Sequence, residues 1–234
     1  MAKNRSTRLK RILKAVKIDR FYYYLQSNLH INKVAVTAEK DLSTLSPITD
    51  ALEQAGVTLV AITPETIMQD VTSEGLLIYP DKKRLKKIIG YLKNGYRGVA
   101  VVRGQEVCGD IWYTSNFDPN KGRVHPDLKW LKFECKDKDV YAFDMYLYPG
   151  KRGNNLANLL QNGVLHEIKK NGFTRALGCY WAENIPALWV HRTLKWKELR
   201  RLEVSRFFGL YHSHESSVCQ RVRNFPLGDK EKSI

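Results

Sequence analysis

Long apolar runs are absent from the 234-residue sequence, and no stretch approaches the roughly 18 apolar residues that a membrane-spanning helix needs. The basic N-terminus is not followed by an apolar segment, so no secretory signal is predicted. Cysteine is scarce, and its four positions form neither a CxxC pair nor a spacing typical of a zinc site or a disulfide framework: Cys108, Cys135, Cys179 and Cys219. These absences predict a reduced, cytoplasmic protein that holds no metal.

Positive charge is in excess, with 39 Lys and Arg against 24 Asp and Glu and a formal net charge of +15. The first twenty residues contain eight Lys or Arg and one acid, Asp19. Such a segment would suit an anionic membrane surface, an acidic protein or nucleic acid, and a solvated basic tail has the same composition. The aromatic residues Tyr22–Tyr24 could stack on single-stranded nucleic acid, but no RNP, zinc-finger or helix-turn-helix pattern accompanies them. Nucleic acid is therefore not the expected partner.

The hydrophobic pattern predicts that strands and helices alternate along the chain. Strands are expected over 32–42, 57–63, 139–149, 174–181 and 199–209, with a hairpin around Arg103-Gly104-Gln105. Helices are expected from Pro64, over 81–95, from 154 to about 170, and from Asn184-Pro186 onward. The helix over 81–95 should turn its apolar residues inward: Leu85, Ile88, Ile89 and Leu92. This order is typical of a mixed α/β (α+β) fold.

The two ends of the chain differ in composition from its middle. We expect residues 1–54 to form a basic N-terminal extension, 55–209 the domain itself, and 210–234 a polar, loosely ordered C-terminal tail. The extension begins with a predicted basic amphipathic helix whose apolar residues have helical spacing: Leu9, Ile12, Leu13 and Val16. A helix of this kind either lies on a membrane surface or packs on its own domain.

The segment PGKRGNNLANLL, residues 149–160, joins a predicted strand to a predicted helix. Pro149-Gly150 predicts a turn, Lys151-Arg152 adds positive charge, and Gly153 lacks a side chain. A flexible basic turn at a helix N-terminus presents backbone N–H groups and the positive end of the helix dipole, which together bind anions such as phosphate. A tight turn with solvated Lys and Arg side chains is the alternative interpretation.

Two motifs in this half of the chain resemble those of the GNAT acyltransferase superfamily. Leu147-x-Pro149-x-x-Arg152-Gly153-x-x-x-Ala157 resembles the pyrophosphate-binding turn, Arg/Gln-x-x-Gly-x-Gly/Ala, with Asn155 where glycine is usual. ENIPALWVHRTLKWKEL resembles the segment Asn-x-x-Ala-x-x-x-Tyr-x-x-x-Gly-Phe and aligns with it without a gap, at Asn184, Ala187, His191, Lys195 and Trp196. Here His191 replaces the usual tyrosine, Lys195 the glycine and Trp196 the phenylalanine. In the order of its elements, the resemblance covers roughly residues 55–209.

The resemblance implies a GNAT-like fold, with a central mixed, mostly antiparallel sheet and helices on both faces. It also implies acetyl-CoA or another acyl-CoA as co-substrate. In that family the two strands beside the turn splay apart, pantetheine pairs with the backbone of the first strand, and a strand N–H polarises the thioester carbonyl. The residues that would bind the coenzyme are Met145, Leu147, Lys151, Arg152, Gly153, Asn154, Asn155, Leu156, Ala157 and Asn184.

Direct acyl transfer to an amine needs a base for the ammonium group and an acid for the leaving thiolate. By alignment His191 is the candidate acid, and a histidine packed on the sheet is the alternative. Asp144, within an aromatic strand, is the candidate base, and a structural hydrogen bond to a neighbouring loop is the alternative. Weaker candidates are Glu134, Glu183 and His166, with Cys179 as a possible nucleophile or a small buried residue.

The predicted function is transfer of an acetyl or longer acyl group from coenzyme A to an amine of a small molecule or a peptide. Two alternatives stay open. One is transfer from a long-chain donor or from an acidic acyl carrier protein, which a net charge of +15 would suit. The other is a non-catalytic basic binding module. The predicted location is the cytoplasm, and the basic N-terminus makes the periphery of an anionic membrane the alternative.

Overall fold

The computed structural model describes residues 31–67, 77–115, 124–207 and 210–215. The strands in these residues are β1 (Ile31–Asp41), β2 (Thr58–Ile62), β3 (Arg97–Arg103), β4 (Glu106–Thr114), β5 (Asp139–Leu147), β6 (Arg175–Trp181), β7 (Lys197–Phe207) and β8 (Leu210–Glu215). The helices are α1 (Thr49–Ala55), α2 (Pro64–Ile67), α3 (Lys82–Lys93), α4 (Asp127–Trp130), α5 (Leu156–Lys170) and α6 (Ile185–Thr193). Short 3-10 turns lie at Leu42–Thr44 and Pro149–Lys151.

The described residues divide into two compact units, a larger one within 36–200 and a smaller one formed by 31–35, 201–207 and 210–215. In the larger unit the strands follow the order β2-β3-β4-β5-β6, and next come the parts of β1 and β7 that belong to it. Strands β2 to β5 pair antiparallel, whereas β5 and β6 pair parallel. In the smaller unit, β7 and β8 form an antiparallel pair from Leu202↔Glu215 to Phe207↔Leu210. The predicted mixed, mostly antiparallel sheet is confirmed.

Helices cover both faces of the sheet in the larger unit. Successive residues of a strand point to opposite faces, so neighbouring residues of β5 contact different helices. Val140 and Ala142 of β5 belong to the core beneath α5, together with Leu160 and Val164 of that helix. Phe143, on the other face, packs edge-on against Tyr91 of α3 with ring centroids 5.4 Å apart. Among the helices that the structure describes, none is long and apolar enough to cross a membrane. The cytoplasmic location stays a prediction.

Two local predictions are wrong. Helix α3 buries Arg84 together with Ile88 and leaves Ile89 38% exposed, because Arg84 pairs with carboxylates of the sheet and takes a place in the buried stripe. Residues 210–215 are a strand and not a loose tail, since pairing with β7 satisfies their backbone despite their polar side chains. The predicted helix that carries Leu9 to Val16 lies outside the described residues.

Candidate active site

Strands β5 and β6 pair only over their first residues. The parallel pairs are Asp139↔Arg175, Val140↔Ala176 and Tyr141↔Leu177, whereas β5 continues to Leu147 and β6 to Trp181. On its other side β5 stays paired with β4 as far as Leu147. The second half of β5 therefore keeps one strand neighbour and has no pair with β6 over the same stretch. Such a gap can admit an extended ligand that pairs with strand backbone.

A β-bulge deforms β5 within this unpaired half. Asp110 pairs with Tyr146 and Trp112 with Phe143, so Asp144 and Met145 together lie opposite one residue, Ile111. Asp144 has φ +48°, in the left-handed region that residues other than glycine rarely adopt. Bulges of this two-against-one kind bend a strand and increase its twist. The bend thus falls just beyond the last pair that β5 makes with β6.

Three side chains of α3 contact the Asp144 carboxylate. Its Oδ2 accepts hydrogen bonds from Arg84 Nη1 at 2.7 Å and from the Tyr91 hydroxyl at 2.9 Å, and Lys87 Nζ lies 2.9 Å away. Arg84 Nη2 also donates to the backbone oxygen of Asp144 at 3.1 Å. These contacts correspond to the structural alternative for Asp144, with a helix as the partner instead of a loop. Two cations and a phenol therefore already occupy one carboxylate oxygen of Asp144, and its catalytic role stays a prediction.

A buried ion pair lies beneath Asp144. Asp110 is fully buried, and both its carboxylate oxygens accept from Arg84, with Nε at 3.1 Å from Oδ2. The indole Nε1 of Trp112 donates to Asp110 Oδ1 at 2.8 Å. Burial alone would lower the pKa of Arg84, but its hydrogen bonds and charge contacts with Asp110 and Asp144 raise that pKa above its already high ordinary value. Sequence reasoning missed both residues; the available signals were an Arg at helical spacing from Ile88 and an Asp inside an apolar strand.

The turn after β5 passes through three successive residues with positive φ and leads directly into a helix N-terminus. Gly153, Asn154 and Asn155 have φ values of +111°, +47° and +60° in succession, and Asn155 precedes α5 directly. Leu159 N–H donates to Asn155 O at 3.1 Å, so the N–H groups of the first turn before it point out of the helix end, as in any α-helix. One of these is used locally, because Leu156 N–H donates to Gly153 O at 3.0 Å.

The two basic residues of the turn are in different situations. Lys151 Nζ forms a 2.7 Å ion pair with Glu106, which compensates its charge. Arg152 Nε donates to the Leu147 carbonyl at 3.3 Å, while the residue as a whole is exposed. Arg152 is therefore the better placed of the two to contact an anion at the turn. Ala157 follows the buried Leu156 in the first turn of α5.

In the second motif, Asn184 and Ala187 have a structural role. Asn184 is the N-cap of α6, and its Oδ1 accepts from the Ala187 N–H at 3.2 Å. A side-chain oxygen in this position satisfies one of the free N–H groups at a helix start. The cap uses the oxygen of the Asn184 amide, so its Nδ2 group is the part that a ligand could contact.

His191 is buried, with 9% of its surface exposed, between two aromatic rings. Its ring centroid lies 4.7 Å from that of Tyr180 and 4.9 Å from that of Trp196. Nδ1 lies 2.8 Å from the Ala187 carbonyl, which can only accept, so Nδ1 carries the proton. Burial lowers the pKa of His191, against the opposing effect of the Ala187 hydrogen bond. The neutral ring then has a lone pair and no proton at Nε2, which makes it a poor acid for a thiolate near pH 7; its catalytic role stays a prediction.

Three of the weaker candidates, His166, Glu134 and Cys179, have different local surroundings. His166 lies on α5, and its Nε2 is 2.8 Å from the Ser46 carbonyl oxygen. Glu134 follows α4 in the chain and is exposed. The Cys179 sulfur lies 3.4 Å from the Tyr141 hydroxyl, and burial raises the pKa of this thiol to about 12. Cys179 is thus a neutral thiol at physiological pH, which fits a packing role rather than a nucleophile.

Another histidine lies on the same sheet face as Asp144 and was not singled out by the sequence. The His125 ring packs against Phe143 with centroids 4.1 Å apart and the rings tilted by 40°, and its Nδ1 accepts from the Asp127 N–H at 3.3 Å. Burial lowers the pKa of His125, while the charge of Asp127 raises it. Its ring also contacts Tyr96, with the centroids 5.5 Å apart. These residues form an aromatic wall next to the bulge, for which the local sequence has no motif.

No family model and no curated protein sequence matches the chain. Its fold matches the GCN5-related glucosamine N-acetyltransferase region of a fungal multi-domain GH3 β-N-acetylglucosaminidase, with a TM-score of 0.56 and 14% identity, over 83% of this chain and 23% of that one. A tandem GNAT protein from the clavulanic acid biosynthesis pathway follows, with 14% identity, a TM-score of 0.46, and 80% and 55% of the two chains covered. A GCN5-related N-acetyltransferase from Sphaerobacter thermophilus has 10% identity and a TM-score of 0.45, over 83% and 55%.

The chain spans about a quarter of the first of these proteins and about half of the other two. The fold assignment rests on the first of these structures. At 14% identity that likeness concerns the fold alone.

Proposed function

We propose that this chain, which has the fold of the GCN5-related N-acetyltransferases, transfers an acyl group from coenzyme A to an amine. The observation that carries the proposal is that one strand joins both parts of a donor site. The half of β5 without a β6 partner ends at Leu147, and the left-handed turn over 153–155 follows within a few residues. An extended molecule with phosphates at one end would fit this arrangement, with its chain along β5 and its phosphates at the turn.

Each part of the donor has a counterpart in the described residues. Backbone N–H groups of the turn and of Ala157 would bind the pyrophosphate, with charge from Arg152. The backbone of Met145 and Leu147 would pair with pantetheine, and Nδ2 of Asn184 would contact the same arm. Lys151 contributes less charge, because Glu106 already compensates its ammonium group. Leu156 would contribute to the shape of the site rather than donate to the phosphate, because its N–H is already bonded to Gly153.

In the proposed reaction the amine nitrogen attacks the thioester carbonyl carbon and forms a carbon–nitrogen bond, and the carbon–sulfur bond breaks. The nitrogen gives its proton to a base and the thiolate takes a proton from an acid, which leaves an amide and free coenzyme A. A backbone N–H near the bulge would stabilise the developing oxyanion. Acetyl is the simplest acyl group, and a longer group or a carrier-protein donor is the alternative. Asp144 and His191 remain the proposed proton-transfer residues. The contacts of Asp144 with α3 argue for a smaller role than a free carboxylate would have, and the neutral ring of His191 for a smaller role than an imidazolium would have.

The proposal is tested by coenzyme A binding, measured by calorimetry on the full chain. Gly153→Asp puts a carboxylate beside the expected pyrophosphate, and Gly172→Asp is the matched control at the other end of α5. Both glycines have left-handed φ values, +111° and +87°, and an added Cβ meets nothing within 4 Å at either position. Both variants therefore carry backbone strain without a steric clash, and the strain is greater at Gly153 because its φ lies further from the values that aspartate adopts. An acid is better tolerated at a helix start than at a helix end, which offsets part of the strain at Gly153, and urea unfolding of both variants shows that each is folded.

We expect Gly153→Asp to weaken coenzyme A binding about tenfold or more, because like charges a few ångströms apart near a protein surface repel by on the order of a few kcal/mol. Gly172→Asp should leave binding unchanged. Equal affinity in both variants and in the unaltered chain would rule out the turn as the phosphate site. No measurable binding of coenzyme A or acetyl-CoA to the unaltered chain would favour the non-catalytic basic module instead.

A further inference from the structure

Asp144 adopts a backbone conformation that its residue type disfavours, at the point where β5 bends away from its pairing with β6. We infer that Arg84 is a positioning residue for the acyl group: anchored by Asp110, it holds the Asp144 bulge and thereby the strand backbone against which the thioester carbonyl would lie. The inference rests on the proposed function and assigns a role to a residue of α3 that neither motif contains.

The contacts of Arg84 surround the bulge. Nη2 donates to the backbone oxygen of Asp144 at 3.1 Å, and Nη1 donates to its carboxylate at 2.7 Å. The guanidinium carbon also lies 4.9 Å from the centre of the Tyr146 ring. One side chain therefore touches the residues on both sides of Met145. Moving this guanidinium group would release the backbone on both sides at once.

The guanidinium itself is fixed from below. Asp110 binds it through both carboxylate oxygens and is held in turn by the indole of Trp112. Asp110 also pairs with Tyr146 in the β4–β5 ladder, next to the bulge. Because a planar guanidinium presents its N–H groups in a rigid fork, fixing one edge on Asp110 directs the remaining donors toward Asp144. The anchor and the bulge thus belong to one rigid arrangement.

The other partners of Asp144 cannot replace Arg84. Tyr91 and Lys87 contact the Asp144 carboxylate, and the described contact with its backbone oxygen comes from Arg84. The Lys87 side chain is 51% exposed, compared with 6% for Arg84. An exposed, flexible ammonium group restrains a backbone weakly, whereas a buried bidentate guanidinium restrains it strongly.

The test compares the binding of acetyl-CoA with that of coenzyme A, together with the infrared carbonyl band of acetyl-CoA labelled with ¹³C at the thioester carbonyl. The variant is Arg84→Met with Asp110→Asn, which removes the ion pair without leaving a buried charge and keeps an acceptor for Trp112. Arg175→Met with Asp139→Asn is the matched control, since Arg175 also pairs with a buried aspartate, Asp139, through Nε at 2.9 Å, and this pair too is removed without leaving a buried charge. If the double variant does not fold, Arg84→Lys retains the charge opposite Asp110 but lacks the fork.

We expect the double variant to bind coenzyme A with the affinity of the unaltered chain. Its preference for acetyl-CoA over coenzyme A should fall by about two- to tenfold, which corresponds to the loss of one hydrogen bond. The carbonyl band should return toward its position in water, and Arg175→Met with Asp139→Asn should change neither measurement. Adding Asp144→Gly to the double variant should restore both, because glycine adopts positive φ without strain.

Three results would overturn the inference. One is an unchanged carbonyl band and acetyl preference in the double variant, and another is an equal loss of affinity for both ligands. A third is failure of Asp144→Gly to restore the band, which would assign the effect to the Asp144 side chain rather than to its backbone. In each of these cases coenzyme A still binds the unaltered chain, so the proposed function survives. If the unaltered chain binds neither ligand, the proposed function falls and the inference falls with it.

Discussion

Replacement of His191 by Phe separates a packed histidine from a catalytic one through the pH dependence of stability. The ring lies between Tyr180 and Trp196, and its Nδ1–H is bonded to the Ala187 carbonyl. Burial lowers the pKa of His191 in the folded chain below its ordinary value. The unfolded chain therefore binds a proton at this residue more readily than the folded chain does. The contribution of His191 to the free energy of unfolding therefore rises with pH. This contribution is lost as the pH falls below the pKa that the residue has in the unfolded chain.

The size of the effect follows from the unfolded pKa of about 6.5. If the folded ring stays neutral, protonation of the unfolded state costs about 0.2 kcal/mol of stability at pH 7 and about 1.4 kcal/mol at pH 5.5. The upper bound for the loss between these two pH values is therefore about 1.2 kcal/mol. His191→Phe keeps an aromatic ring of similar bulk and removes this loss. The Ala187 hydrogen bond is missing from the variant at both pH values, so its absence cancels in the comparison.

The measurement is urea unfolding of the unaltered chain and of His191→Phe at pH 7 and pH 5.5. We expect the variant to lose less stability on acidification, by up to the bound given above. His214→Phe is the control, because that side chain is 73% exposed and the argument from burial does not apply to it. Identical pH dependence in the unaltered chain and His191→Phe would refute the argument from burial. A proton at Nε2 near pH 7 would then be admissible, and with it the general-acid role, for which removing the group typically lowers kcat by about 10²–10⁴.

Gly109→Ala should cost about 1–3 kcal/mol of unfolding free energy, because its Cβ would lie 2.5 Å from the Tyr146 backbone oxygen. Gly163→Ala should cost less, since its Cβ would meet the movable end of the Leu59 side chain; equal losses in urea unfolding would contradict this reasoning. At pH 8, Cys179 should react with iodoacetamide roughly a hundredfold or more slowly than free cysteine, and rapid labelling in peptide mass spectrometry would contradict its raised thiol pKa. A chain that begins at Phe21 should fold and bind coenzyme A while losing salt-sensitive binding to vesicles of anionic lipid, and unfolding of the shortened chain would show that the basic segment is structural.

The sequence predicts well those elements whose signals are local. Helix α5 ends where Asn171 and Gly172 predict, and Gly172 has φ +87°, as a glycine after a helix commonly does. Helix α6 begins at the predicted cap, with Asn184 bonded to the Ala187 N–H. Each of these signals involves residues within a few positions of one another. Their meaning therefore depends little on the rest of the fold.

The interior of the candidate site could not be predicted in this way, because its contacts join distant parts of the chain. Arg84 meets Asp110 and Asp144, which lie 26 and 60 residues further on. Hydropathy assigns all three residues to the surface. Burial of charged groups is unfavourable unless they are paired, and these residues pair with one another. The same contact rotates α3 and exposes Ile89, so one unpredicted ion pair accounts for the error in the helix face as well. The bulge at Asp144 has no local signal either, since its left-handed conformation depends on a donor from another element.

The motif departures also separate into two physical kinds. A glycine is usual at position 155 in the family turn, and Asn155 has φ +60° and ψ +13°, a left-handed conformation that asparagine tolerates better than most residues. The turn there needs a conformation rather than a particular side chain, so the substitution preserves what matters. Gly153 at φ +111° lies further from any conformation that asparagine favours, and at that position the chain retains glycine. At His191 the replaced group is a proton donor, so a suitable backbone cannot compensate for it. A motif match is therefore strong where it specifies backbone shape, and each change in a reacting group needs its own chemical test.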